Sequence, residues 1–296
     1  LDRELARLSS RPVEKIDPPL RWLLLMTLGE LLFMKKLSPH AAVFEAGEIC
    51  KRSGHGSWTG FVNAILRQWL RDDRFSTARG GAGDSPALRY SHPEWFCDAV
   101  RDEFGDDRLL DILRWNNTTP RQYARLRVPL DACREDIAAG RLAPAPEFGG
   151  NVVRILSTSE VLQSRSFDTG KFYLQQPWSI RTAAALPVRD GMRILDMCAA
   201  PGGKSLALAD AADVRVVAAD SHPARLLRIY DNLTRICSHR VFPVLMDGRH
   251  AHAVFGDNAF DAILLDAPCS SLGVIQRHPA IRWRVTPENI AMLASL

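Results

Sequence analysis

The sequence predicts an α/β protein in three consecutive parts: an all-helical region over 1–117, a small α+β linker module over 118–186, and a partial, doubly wound parallel sheet over 187–296. Three observations predict it. Apolar residues recur at helical spacing through the first 115 residues, short alternating apolar stretches follow, and after Pro187 strand-like and helix-like segments take turns. Of 296 residues, 46% are hydrophobic and 24% charged, which is ordinary for a globular chain and excludes disordered and fibrous classes. The length suffices for two domain-sized cores.

In the first part Leu20, Leu23, Leu24, Leu28, Leu31 and Leu32 mark one helix. Ser38-Pro39 opens the next, a capping hydroxyl followed by the proline of a first turn, and it runs to about Arg52 before Ser53-Gly54 stops it. Phe61, Val62, Ile65, Leu66, Trp69 and Leu70 form a third apolar stripe, with Asn63, Arg67 and Arg71 on other faces. Ser76–Ser85, with three glycines, reads as a loop. Trp95, Phe96 and Val100 begin a further helix, and Leu109, Leu110, Ile112 and Leu113 another.

The linker module offers strands at Tyr123–Val128, Val152–Leu156 and Gly170–Leu174, with a short helix over Leu130–Ala139. The last part then reads strand Arg193–Met197, helix Ser205–Ala212, strand Val214–Asp220, helix Pro223–Ile236, and strands Val241–Asp247 and Phe260–Asp266. Thr286-Pro287-Glu288 opens a final helix. Alternation of this kind implies a parallel sheet, and four strands without a closing edge make it an incomplete one.

Several classes are excluded or disfavoured. The longest apolar run, Trp22–Met34, contains Glu30 and is shorter than the roughly 20 residues of a spanning helix, so no membrane role is expected. The N-terminus lacks the basic and apolar regions of a signal peptide, and it starts at Leu rather than Met, as for a chain that begins inside a longer protein. The six cysteines show no CxxC and no metal-ligand spacing, so reduced thiols, no metal and a cytoplasmic location are expected. The net charge of +4 is too small to identify a nucleic-acid partner by itself.

In a doubly wound sheet ligands bind beyond the carboxyl ends of the strands. The loop Cys198-Ala199-Ala200-Pro201-Gly202-Gly203-Lys204 lies at one such end, with glycines that let a ligand approach the backbone and a helix N-terminus that offers free N–H groups. Asp220 ends the second strand, where an acid can accept hydrogen bonds from ribose hydroxyls; Asp247 ends the third and Asp266 the fourth. Three acids repel phosphate and suit a ribose, an adenine amine or a cationic sulfonium, which favours S-adenosylmethionine over a nucleoside triphosphate. A P-loop would need glycine at position 198, which is Cys, and GxGxxG is absent. Taken singly, each strand-end Asp is also what a turn or helix cap uses. Cys269, three positions after Asp266, sits where the reacting end of the ligand would lie; otherwise it is a buried, inert thiol, as Cys198 and Cys237 are expected to be in their side chains. Arg277, His278, Arg282 and Trp283 interleave cations with an aromatic ring, as single-stranded nucleic-acid binders do and as an ordinary solvated loop can.

Together Leu195–Ser205 and Leu265–Pro279 resemble the RNA cytosine-5 methyltransferases. Pro39–Glu45 and Gly60–Arg67 resemble the NusB-like helical domain of the bacterial 16S rRNA methyltransferases of the Sun/Fmu (RsmB) type. The resemblance covers nearly the whole chain and is weakest from Thr118 to Ser166. It implies a NusB-like RNA-binding domain over 1–117 and an incomplete Rossmann-like class I methyltransferase domain over 187–296. It also implies methyl transfer from S-adenosylmethionine to C5 of a cytosine in 16S rRNA by a monomer, with no DNA partner.

By the same resemblance, Cys198–Lys204 wrap the methionine end of the cofactor, Asp220 holds the ribose, Asp247 lies by the adenine and Asp266 near the reacting end. Cytosine C5 is a poor nucleophile, so the family adds a thiolate at C6 first. Cys269 is implied to assist proton removal or release, the attacking cysteine belonging to a later Thr-Cys. The sequence contains no Thr-Cys, which implies that these 296 residues are inactive alone. A non-catalytic NusB-like RNA-binding or antitermination factor, and the same chemistry on transfer RNA, are the rival readings.

Overall fold

The computed structural model describes residues 1–34, 36–72 and 84–295. The chain divides into two compact units, Leu1–Leu113 and Arg114–Leu296. The first is helical: α1 (Asp2–Leu8), α2 (Pro18–Phe33), α3 (Pro39–Arg52), α4 (Thr59–Arg71), α5 (Pro86–Tyr90) and α6 (Glu94–Asn116). Prolines occupy the first turns of α2, α3 and α5, where a missing N–H costs no helical bond. The leucines of α2 and the stripe of α4 meet in one core with Leu5, Leu24, Leu28, Leu66 and Trp69 fully buried. At Gly105 the backbone leaves the helical region (φ 80°, ψ 167°), so α6 is the two successive helices that the apolar spacing predicts. Of the expected loop 76–85 only the last two residues are described; Ser85 caps α5 by accepting the Leu88 N–H.

The second unit begins with an antiparallel sheet. Its elements are β1 (Gln122–Leu126), α7 (Arg134–Ala138), β2 (Leu142–Pro144), β3 (Val152–Ile155), α8 (Thr158–Leu162), α9 (Arg165–Asp168), β4 (Phe172–Leu174) and α10 (Pro177–Ala184), with strand order β2-β3-β1-β4. Strand β2 was not among the expected elements, because three residues between Gly140 and Pro144-Ala-Pro146 are too few to show an alternation.

The parallel sheet follows with β5 (Arg193–Asp196), α11 (Gly203–Ala211), β6 (Arg215–Asp220), α12 (Pro223–Ile236), β7 (Val241–Leu245), α13 (Ala251–Phe255) and β8 (Ala262–Leu264). Two short helices close the unit, α14 (Ile281–Arg284) and α15 (Pro287–Ala294), the latter opened by a capping box of Thr286 and Asn289. Strand order is β7-β6-β5-β8 with every pair parallel. The chain therefore winds from β5 to β7 on one side and returns to add β8 on the other, which makes the edge between β5 and β8 the switch point. Two strands are shorter than expected. The β6–β7 ladder ends at Asp220 opposite Leu245, so Asp247 and Asp266 stand two residues past their strands instead of on them.

Two contacts hold the β5–α11 turn. Asp196 is buried and its Oδ2 accepts the Ser205 hydroxyl at 2.6 Å. Burial pushes the Asp196 carboxyl up to about 6, against the lowering pull of that hydrogen bond and of Lys204. The second contact changes the reason for Gly203. A Cβ there would stand 2.8 Å from Cε1 of Tyr173 on β4, so it is a protein ring that requires Gly203 to be small, a reason distinct from the ligand approach expected from the sequence. Gly202 is left-handed (φ +99°), and its Cβ would meet Ile229 of α12 at 3.3 Å. No helix among the described residues is long and apolar enough to cross a membrane.

Gly203→Ala should destabilise the protein by about 1–3 kcal/mol, the usual cost of overpacking, seen as a lower urea midpoint; an unchanged midpoint would mean the Tyr173 ring yields freely. Because the folded pKa of Asp196 is raised from 3.8 to about 6, the folded state holds the proton more tightly than the unfolded chain. Stability attributable to this group is complete below pH 3.8 and falls by about 3 kcal/mol as pH rises to about 6. Asp196→Asn keeps an acceptor for Ser205 and removes the titration, so its stability relative to the parent should improve between pH 4 and pH 7. A difference that stays flat across urea titrations at several pH values would exclude the shift.

Candidate cofactor and catalytic site

The carboxyl edge of the parallel sheet gathers three of the features that the sequence points to. The 198–204 loop is folded back on the sheet by Met197 N–H to the Leu264 carbonyl (3.0 Å), Ala199 N–H to the Ala219 carbonyl (2.8 Å) and Gly202 N–H to the Ala199 carbonyl (2.7 Å). Its Ala200–Pro201 peptide is cis. Asp220, buried at the end of β6, accepts the Ala200 N–H through Oδ2 (3.3 Å) and the His222 N–H through Oδ1 (2.9 Å). Each carboxylate oxygen has a second acceptor position, so two backbone bonds leave Asp220 able to take a ribose hydroxyl as well. Lys204 of α11 forms an ion pair with Asp266, which is half exposed. The loop, Asp220 and Asp266 are thus one connected group.

Asp247 is not joined to it. Its carboxylate accepts the Arg249 N–H at 3.0 Å and pairs with the Arg249 guanidinium at 2.6 Å, capping the short Gly248–His250 turn. Those hydrogen bonds hold the carboxyl down at about 2. In the described fold Asp247 does what a turn-forming Asp does. Cys269 is exposed, with its Sγ accepting the Ser271 N–H at 3.4 Å. Cys198 is partly exposed, and burial followed by the charges of Asp220, Asp196 and Asp266 raises its thiol pKa, which keeps it protonated. Cys237 departs from expectation: it is exposed, because it takes the left-handed position (φ +53°) that ends α12. Of the basic tract, Arg277, His278 and Trp283 are exposed, whereas Arg282 is buried inside α14 and donates to Asn117 Oδ1 at 2.8 Å. Arg282 is a clamp between segments and not a surface cation.

Sequence reasoning missed the supports of the loop. The Tyr173 hydroxyl donates to the Pro201 carbonyl (3.1 Å), and Asn232 of α12 donates to the same oxygen and to the Tyr173 hydroxyl, each at 3.1 Å. Burial pushes the Tyr173 phenol up to about 12, so it remains a donor. Nothing in the local pattern around Tyr173 or Asn232 points to a partner 28 or 31 positions away. Among the described residues no group of three or more His, Cys, Asp or Glu could hold a metal ion.

Two family models match the chain: 16S rRNA methyltransferase RsmB/F over residues 183–296 and the NusB family over residues 1–71. The ribosomal RNA small subunit methyltransferase B of Erwinia tasmaniensis is 34% identical over 303 residues, a match covering all of this chain and 69% of the relative. Solved structures share the fold. The crystal structure of PH0851 superposes with a TM-score of 0.82 at 22% identity, over 99% of this chain and 68% of that one. NSun6 from Pyrococcus horikoshii with SFG gives 0.58 at 18% identity, over 69% of this chain and 77% of that one. With the relative matched from end to end of this chain, and the two family models falling on the helical part and on the parallel sheet, the chain belongs to the RsmB/F family of 16S rRNA methyltransferases.

Proposed function

We propose that the chain serves the transfer of a methyl group from S-adenosylmethionine to C5 of a cytosine in 16S rRNA, with a NusB-like RNA-binding domain over 1–117, a linker module over 118–186 and a methyltransferase domain over 187–296. The observation that carries the reading is the connected group at the sheet edge: the braced 198–204 loop, Asp220 beneath it and Asp266 paired across to Lys204. These residues fit S-adenosylmethionine. Asp196 keeps one buried oxygen without a hydrogen bond, Asp220 has acceptor capacity to spare, and the edge holds acids where a phosphate would be repelled. The NSun6 crystal structure from Pyrococcus horikoshii was determined with SFG.

In this reading Cys198–Lys204 enclose the methionine end, Asp220 holds the ribose, Asp247 lies by the adenine and Asp266 faces the reacting end. S-adenosylmethionine bound there supplies an electrophilic methyl group on a cationic sulfonium. The target carbon is activated by a thiolate that adds to C6 of the cytosine; after C5 is methylated, a base takes the C5 proton and the thiolate leaves. Cys269, exposed on the loop after β8, assists that proton removal or the release. The attacking thiolate belongs to a Thr-Cys, which this sequence does not contain.

Asp220→Ala should weaken S-adenosylmethionine binding by about 10- to 100-fold, the value of one hydrogen bond to a charged acceptor. Calorimetry reads the affinity, and circular dichroism confirms that the variant is folded. An unchanged affinity removes Asp220 from the site. In a protein that also carries the Thr-Cys, Cys269→Ala should slow turnover or leave RNA covalently attached, visible as a shifted band on a denaturing gel. Parental turnover with no adduct would return Cys269 to an inert thiol.

A further inference from the structure

A cleft of about 470 Å³ opens in the second unit, between the 116–120 segment ahead of β1 and the tract over 276–283. Its two walls are tied to each other. Buried Arg282 donates from Nη1 to Asn117 Oδ1 (2.8 Å) and from Nη2 to the Asn116 carbonyl (3.3 Å), while Gln276 Nε2 donates to Thr118 Oγ1 (2.7 Å). Pro120 and Pro279 stiffen the rims. The cleft therefore exists before any ligand arrives.

One wall carries the indole of Trp283, 62% exposed. A ring that open contributes little to packing, yet it stands beside amide and hydroxyl groups with the reach to read the edge of a base. Arg277, His278 and Arg284 lie exposed on the same stretch, and no acidic residue occurs between Gln276 and Thr286 to neutralise them. A flat ring, polar edges and uncompensated positive charge together match a nucleotide. They do not match a peptide helix, which would need an apolar carpet where the cleft offers only Trp283, Ala280 and two prolines. They do not match a duplex either, since a base inside a duplex cannot stack on an outside ring.

We propose that this cleft holds an unpaired nucleotide of the RNA, its base stacked on Trp283 and its neighbouring phosphates met by Arg277 and Arg284. The inference rests on the proposed RNA substrate and adds where the strand is gripped. Gln276 follows Cys269 by seven positions, across the Leu272–Val274 turn, so one loop carries both the thiol and the cleft wall.

The test uses the full chain and a fluorescein-labelled single-stranded oligoribonucleotide, with the same sequence as a duplex for comparison. Fluorescence anisotropy should show Trp283→Ala binding the single strand about tenfold more weakly, Trp283→Phe retaining most of the affinity, and the duplex insensitive to both. Arg277→Glu with Arg284→Glu should weaken binding and flatten its salt dependence. Parental affinity in Trp283→Ala, or equal losses for strand and duplex, would overturn the cleft. Should Trp283→Ala fail to fold, the Phe variant and the charge reversal still decide. Cofactor calorimetry on the same proteins separates the two readings: Trp283-dependent RNA binding without S-adenosylmethionine binding sinks the proposed methyl transfer and leaves the cleft standing, and the converse sinks only the cleft.

Discussion

The ring of Tyr173 fills the volume that a side chain at Gly203 would need, and the rest of the site depends on that contact. It brings β4 of the antiparallel sheet against the first turn of α11. Once the ring is seated, its hydroxyl lies within bonding distance of the Pro201 carbonyl, and Asn232 closes the same group from α12. A loop that must present backbone N–H groups to a ligand gains little if those groups wander, because ordering them on binding subtracts from affinity. Here the ordering is done by folding. The antiparallel sheet is in that sense part of the architecture of the 198–204 loop, although none of the loop residues belongs to it.

The far end of α11 is held by the same sheet. Asp210 receives both Nε and Nη2 of Arg127 at 2.9 Å, and Nη2 of buried Arg125 approaches it at 2.8 Å. Arg125 also donates to the Gln175 side-chain oxygen and Arg127 to the Gly170 carbonyl, so each guanidinium has its own further acceptor and Asp210 is the partner they share. Burying a guanidinium is expensive and its pairing returns little net stability, but breaking such a pair costs about 3–5 kcal/mol. The arrangement fixes direction more than it adds stability. With Tyr173 at one end and Asp210 at the other, α11 has one position relative to the antiparallel sheet, and the loop at its N-terminus inherits it.

Much of this was legible in the residue order, and the rest was hidden for a consistent reason. Period-2 and period-3.6 patterns reveal elements that bury one face over several residues, which is why α2, α4, α12, β5 and β6 were foreseen nearly to their ends. Strand β2 has three residues and no room for a period. Asp220 could be placed because a strand end and a turn are both local signals. Asp247 could be located but not interpreted: its partner, Arg249, is two residues on, and whether an acid caps its own turn or faces a ligand is a matter of a single rotamer. Arg282 shows the opposite failure. Its neighbours make the tract look like a solvated basic loop, whereas its side chain turns in to meet Asn117, 165 positions earlier, a pairing that no local pattern encodes.

The acids at the sheet edge divide by depth, and the division has an electrostatic logic. Asp196 and Asp220 are buried, one oxygen of Asp196 holding the Ser205 hydroxyl and Asp220 two backbone N–H groups, so their first effect is to shape the loop. Asp247 and Asp266 are more exposed, and each is matched by one cation, Arg249 and Lys204. Neutralising the outer acids pairwise lets the edge carry several carboxylates without strong mutual repulsion. A ligand with a positive centre could compete with Lys204 for Asp266, whereas an anionic ligand would have to displace Asp266 from Lys204 and then face Asp220. An edge of this charge would favour a sulfonium over a triphosphate, through side chains that the β5–α11 and β8 connections bring together.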